Sequence, residues 1–184
     1  MRKQVDNSVA SRLVNCGMVV LISSTYKDRN NITTCAWHMP VSKEPPLIAV
    51  ALAKGHFSSF LIKHSKEFVV NIPVWEQIDK VILCGRLKGK EVDKFKETDF
   101  TPSLSCGLKK AVSISECVAS LECALVDIKE SGDHFIFIGK IVYAEAEEKY
   151  FYNNVWDTKK VEFIFHLGGR NFFKSSSLIE MDNG

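Results

Sequence analysis

The chain has 184 residues and a mass of 20.7 kDa, with 46% hydrophobic and 25% charged residues and a formal net charge of +2. That length suits one domain with its own core, and that apolar content excludes a disordered chain. The 24 Lys and Arg are nearly matched by 22 Asp and Glu, which argues against a nucleic-acid binder held by bulk charge.

Arg2 and Lys3 precede an apolar stretch from Leu13 to Ile22, but Asp6 and Asn7 intervene, Asn15 interrupts the run and no small-residue cleavage site follows, so no leader is expected. No other apolar run approaches the ~20 residues of a membrane-spanning helix, so no membrane partner is expected. Gly17–Ile22 reads as a strand, Tyr26–Asn31 as a polar turn and Ile32–His38 as a second strand. Pro40, Pro45 and Pro46 punctuate a loop, and Leu47–Ala53 is a continuous apolar run, as in strands buried on both faces. From Phe57 the period changes: Phe57, Phe60, Leu61 and His64 fall on one helix face. Phe68–Ile72 is a strand stopped by Pro73, and Ile78, Val81 and Ile82 give a second helix ended near Gly85. Val118–Lys129 and His134–Glu147 flank a hairpin loop, and Val161–Leu167 is a last strand before Gly168-Gly169. Strands dominate without β-α-β alternation, which predicts an antiparallel barrel or sandwich.

Motifs for several chemistries are missing from the sequence. There is no G-x-G-x-x-G, no P-loop and no H-E-x-x-H, so neither a Rossmann site nor a metal site is expected. The six cysteines (Cys16, Cys35, Cys84, Cys106, Cys117 and Cys123) form no C-x-x-C and read as reduced, buried, cytoplasmic thiols. Cys84, at a helix C-terminus, gains no thiolate character there. His166, on an apolar strand, reads as structural. Lys88-Gly89-Lys90, Lys109-Lys110 and Lys159-Lys160 read as solvated surface.

Two junctions carry more. At Ala53-Lys54-Gly55-His56-Phe57-Ser58-Ser59 a buried strand ends and a helix begins, and free amides plus the helix dipole suit an anion. Helix capping by Ser58 or Ser59 is the competing reading. At Asn31-Ile32-Thr33-Thr34-Cys35-Ala36-Trp37-His38 small and polar residues stand where a strand usually carries bulky ones, which lets a flat ligand approach the backbone; a polar edge strand explains the same pattern.

From Val14 to Phe173 a series of motifs falls in register: Asn31-x-x-Thr34-x-Ala36-Trp37, Pro45-Pro46-Leu47-Ile48 and Phe68-Val69-Val70-Asn71-Ile72-Pro73. They are followed by Cys84-Gly85-Arg86, Val92-Asp93-Lys94-Phe95, Gly132-Asp133-His134 with Gly139, and Leu167-Gly168-Gly169-Arg170. Together they resemble the flavoredoxin branch of the flavin reductase-like family. The resemblance implies one mainly β domain spanning residues 1–184, a six-stranded antiparallel Greek-key split barrel with a few peripheral helices, and a homodimer. It implies FMN as cofactor, with NADH or NADPH as transient hydride donor and the chemistry at flavin N5, so no catalytic side chain is assigned. Thr33, Thr34, Cys35, Ala36 and Trp37 are expected along the flavin ring and ribityl chain, bordered by Ala51, Leu52 and Ala53. His56, Phe57 and Ser58 are expected at the phosphate, and Asn71 and His134 near the flavin. The expected function is a cytoplasmic NAD(P)H-dependent flavin oxidoreductase that passes electrons to free flavin or an acceptor protein; the alternative is an FMN electron carrier without nicotinamide turnover. His56, Ser58 and Phe172 stand where the family pattern has Arg, Thr and Tyr.

Overall fold

The computed structural model describes residues 2–14 and 17–176; Cys16 lies outside them. Seven strands form the main sheet: β1 (Val20–Tyr26), β2 (Arg29–Cys35), β3 (His38–Ser42), β4 (Leu47–Ala53), β5 (Glu67–Ile72), β8 (Ala119–Ser131) and β9 (His134–Ala146). Between them come α1 (Phe57–Ser65), α2 (Ile78–Arg86), α3 (Lys94–Thr98), β6 (Pro102–Leu104) and β7 (Val112–Ile114). Two short hairpins follow, β10 (Phe151–Tyr152) with β11 (Val155–Trp156) and β12 (Ile164–Gly168) with β13 (Asn171–Lys174). Among the described residues no helix is long and apolar enough to cross a membrane.

The ladder order is β2-β1-β5-β8-β9-β4-β3, antiparallel at every step. Its two edge strands, β2 and β3, are consecutive in sequence and separated only by Ala36 and Trp37. The ladder therefore returns on itself, and β2 and β3 are the two halves of one strand broken at that dipeptide. Counted so, the seven strands are the six of a split barrel. Ile32–His38, read as one strand, spans this break. Pro40 belongs to β3 rather than to a loop: an edge strand tolerates a residue with no N–H to give.

Period-two alternation in β1 fills two cores. Val20 and Ile22 face the barrel interior with Val50, Leu52, Phe68, Val70 and Phe137. Val19 and Leu21 face outward, under Val81, Cys84, Phe95, Val112 and Ile164. The Phe68 ring lies flat against β9, where a Cβ on Gly139 would come within 2.6 Å of it, so only glycine fits there. In the β5–β8 wall, two carboxylates hold the loop between β6 and β7. Glu122, fully buried, accepts amides of Cys106, Gly107 and Leu108 at 2.7, 2.6 and 3.1 Å. Glu67 accepts those of Lys109, Lys110 and Ala111.

Helix α1 exists where its spacing predicts it but buries a different face. Ser58, Ser59, Leu61, Ile62 and Ser65 turn inward, while Phe60 is 46% exposed. The serines let the helix sit close to β1 and β2 and satisfy their own hydroxyls: Ser59 Oγ donates to the Ala53 carbonyl at 2.9 Å. Phe57, Phe60 and His64 stack along the outer face, ending against Tyr26. Of the five described cysteines four are buried, but Cys106 is exposed, because it sits in the loop tethered by Glu122. Of the late aromatics, Trp156 packs inside the chain on Phe151 and Phe163, and Phe172 on His166, while Tyr152 and Phe173 stay exposed.

Candidate functional site

The broken strand opens a cavity of about 450 Å³. Thr34, Cys35, Ala36 and Trp37 form one wall, and Ala51, Leu52 and Ala53 of β4 form the adjoining one. This explains a detail of β4: its apolar run is buried at Ile48, Val50 and Leu52, but Ala51 and Ala53 are only half-buried because they look into the cavity. Val81, Ile82, Gly85 and Arg86 of α2 close a third side. His56, His134 and the turn carrying His166, Gly169, Arg170 and Phe172 complete it.

The break is held by hydrogen bonds. Ala51 N–H donates to the Trp37 carbonyl at 2.8 Å, and the Cys35 thiol donates to the Trp37 and Ala51 carbonyls at 3.4 and 3.8 Å. Burial pushes the Cys35 thiol up to about 11, so it stays protonated and serves as a donor rather than a nucleophile. Thr34 Oγ1 donates to the Val81 carbonyl at 2.6 Å and ties the strand to α2. Trp37, 43% exposed, stacks on His134 with ring centroids 4.9 Å apart. His134 in turn is fixed by Asp133, whose carboxylate lies 2.6 Å from its Nδ1.

A second cavity of about 250 Å³ adjoins the first and shares Thr34, His56, Gly85 and Arg86 with it. Asn31, Thr33, Gly55, Phe57 and Cys84 line it, together with Arg86, Lys88, Lys90 and Lys94 against one carboxylate, Glu91. Lys88 is bridged to Glu91. Lys94 is 5% exposed, and its Nζ donates to the Cys84 carbonyl in the last turn of α2 at 2.6 Å, with no carboxylate partner among the described residues. Burial lowers its pKa. Burial, then the neighbouring Lys94 and His134, also lower that of His56, which is therefore neutral at pH 7. Asn31 is buried, gives its amide N–H to Ser58 Oγ at 2.8 Å, and leaves Oδ1 without a partner. Gly89 permits this: a Cβ there would fall 1.9 Å from Asn31 Oδ1.

Of the thirteen residues singled out in the sequence, Thr34, Cys35, Ala36, Trp37, Ala51, Leu52, Ala53, His56 and His134 wall the larger cavity, and Thr33 and Phe57 the smaller. Ser58 and Asn71 wall neither. Ser58 Oγ is fully buried between Asn31 and Thr33, 2.8 Å from each, and it is not the helix cap. Asn71 gives its amide to Leu21 O and Ser23 Oγ and accepts from Ile114 N–H, knitting β5 to β1 and β7. Lys88 and Lys90 are exposed, as expected, and also line the smaller cavity, while His166 and Phe172 reach the larger one. Lys94 and Arg86 carry charge into the site without having been singled out. The available signal was Lys94 itself, a lysine directly before Phe95 in a segment that must pack.

This barrel, opened at a broken strand and backed by a small cationic cavity, defines a class. The flavin reductase like domain matches residues 12–162, and the chain belongs to that family. An uncharacterized protein of Archaeoglobus fulgidus is 34% identical over 151 residues, covering 82% of this chain and 84% of its own. The crystal structure of a flavoredoxin from Methanosarcina acetivorans superposes with a TM-score of 0.88 at 26% identity, covering 100% of this chain and 96% of that one. An FMN-binding protein from Thermus thermophilus, with a TM-score of 0.86 at 20% identity and coverage of 99% and 98%, shares the fold.

Proposed function

We propose that this chain is a cytoplasmic FMN-dependent oxidoreductase that accepts hydride from NADH or NADPH and passes the electrons to free flavin or an acceptor protein. One observation carries the reading: an open, largely apolar cavity with backbone-lined walls leads directly into a smaller one that holds a buried lysine with no carboxylate partner. A ligand with a flat ring at one end and a dianion at the other matches that pair, and the FMN bound by relatives of the same fold is such a ligand.

The residues fit the cofactor on chemical grounds. Lys94 supplies the positive charge for the phosphate, helped by the free amides at the start of α1. Asn31, held by Ser58 and packed under Gly89, shapes the wall of the smaller cavity for the ribityl chain. His56, on the wall that both cavities share, offers a ring N–H to the ligand. Bound in this way, FMN supplies hydride acceptance and onward transfer of two electrons, chemistry that protein side chains lack. The chain's own part is placement: Ala36, Ala51 and Ala53 leave the backbone bare for the ring, and the Trp37–His134 pair shields its edge from water. Support for a homodimer comes from edge strand β3, which leaves Met39 59% and Val41 41% exposed.

Cofactor released by heat from the purified protein and identified by chromatography is expected to be FMN, about one per chain; FAD, or no flavin after reconstitution, refutes the reading. Anaerobic titration with NADH and then NADPH is expected to bleach the flavin faster than about one per second. No bleaching by either over minutes, with photoreduction intact, selects the electron-carrier alternative, which the flavoredoxin likeness favours.

A further inference from the structure

The larger cavity carries more positive charge than a neutral flavin ring calls for. Arg86 and Arg170 line it, with three imidazoles, and among the described residues no Asp or Glu does. Arg86 lies where the two cavities meet and is close to the phosphate end. Arg170 and His166 are different: they line only the larger cavity, His166 from β12 and Arg170 from the turn into β13. Among the described residues neither Arg86 nor Arg170 is ion-paired. His166 Nε2 lies 3.2 Å from the Gly169 carbonyl and the ring lies against Phe172, centroids 4.9 Å apart, which fixes the imidazole on the cavity wall that Arg170 also lines. A guanidinium without an ion-pair partner among the described residues, in a cavity that Phe172 and Trp37 also line, has the chemistry to receive a planar molecule that carries an anion.

We propose, resting on the FMN reading above, that Arg170 with His166 is an anion-binding pole for the cavity's second ligand, and that this ligand is a planar ring bearing a carboxylate or a phosphate. Phe172 and Trp37 offer apolar faces to the ring, and the guanidinium takes the anion. A carboxylate and a phosphate offer the same forked acceptor to arginine, so the two sources are separated by experiment rather than by geometry.

The FMN-loaded protein is titrated with benzoate, phenyl phosphate and uncharged benzamide, following the flavin absorbance change. Benzoate or phenyl phosphate is expected to bind at least about 10-fold more tightly than benzamide, the scale of a charge-assisted hydrogen bond to arginine. The tighter of the two anions identifies the source. Arg170→Gln is expected to erase that preference while the protein still binds FMN and benzamide, and Arg170→Lys to retain part of it. Equal binding of anion and amide by the wild type overturns the proposal. So does a parallel loss of all three probes in Arg170→Gln, or a shifted midpoint potential with discrimination intact, which would assign the charge to the cofactor instead. A protein that binds FMN without discriminating the probes refutes this inference alone; one that binds no FMN refutes the parent reading and this with it.

Discussion

Replacing Lys94 with Met tests where the phosphate end of the site lies. The ammonium is buried, lies 2.6 Å from the Cys84 carbonyl and lines the smaller cavity without a carboxylate to neutralise it. A hydrogen bond to a charged group contributes about 1.5–3 kcal/mol. Its loss is therefore expected to weaken FMN binding roughly 10- to 150-fold, since each 1.4 kcal/mol is about tenfold. Riboflavin has the same ring and side chain but no phosphate, and its affinity is expected to change less than about threefold, within the scatter of a neutral substitution. Met keeps the length and apolar stem of Lys, so α3 retains its packing. Fluorescence-quenching titrations of both ligands against both proteins give the four constants needed. Equal losses for FMN and riboflavin, or an unchanged FMN constant, would refute the placement of the phosphate beside Lys94.

Gly89→Ala drives a methyl into Asn31 Oδ1 and is expected to weaken FMN and riboflavin alike, because the displaced amide serves the ribityl chain rather than the phosphate; the same titrations read it. Glu122→Ala leaves three amides of the Cys106–Leu108 segment unpaired and is expected to destabilise the fold on the order of 3 kcal/mol, measured by urea unfolding. Sedimentation is expected to give a dimer for the wild type and a monomer for Met39→Glu together with Val41→Glu on edge strand β3, with FMN absorbance retained.

Much of this architecture is legible in the sequence because long strands carry strong patterns. The apolar run of β4, the Phe68–Ile72 strand and the paired β8 and β9 around Gly132 are each visible as runs bounded by turn residues. Strands of two to four residues, such as β10, β11 and β13, are too short to show a period. The inward face of α1 is hidden for another reason: burial usually selects apolar residues, and here three serines are buried because their hydroxyls find partners in Asn31, Thr33, Ala53 and the Glu67 backbone. The site divides the same way. The small residues around the strand break, Thr34 to Trp37, mark it locally. The cations come from α2 and the loop leading into α3, brought over β2 only by tertiary packing, and a lysine such as Lys94 reads as surface until the fold buries it.

The buried lysine also fixes a pH dependence whose sign can be worked out. Burial lowers the Lys94 pKa in the folded apo chain from the 10.5 of an exposed lysine. Between the lowered value and 10.5 the unfolded chain holds more protons than the folded one, so apo stability rises with pH across that window. The FMN phosphate favours the charged ammonium and raises the same pKa back toward its exposed value. Across the window, then, the complex holds more protons than the apo protein, and FMN affinity falls as pH rises. Riboflavin, with the same ring ionisation and no phosphate, serves as the control and is expected to lack that fall. In Lys94→Met both trends vanish together: apo stability loses its alkaline rise, and the FMN and riboflavin affinities run parallel with pH. Urea melts of the apo protein and paired titrations from neutral to alkaline pH measure both. A divergence of the two ligands that persists in Lys94→Met would assign the proton to another group of the smaller cavity.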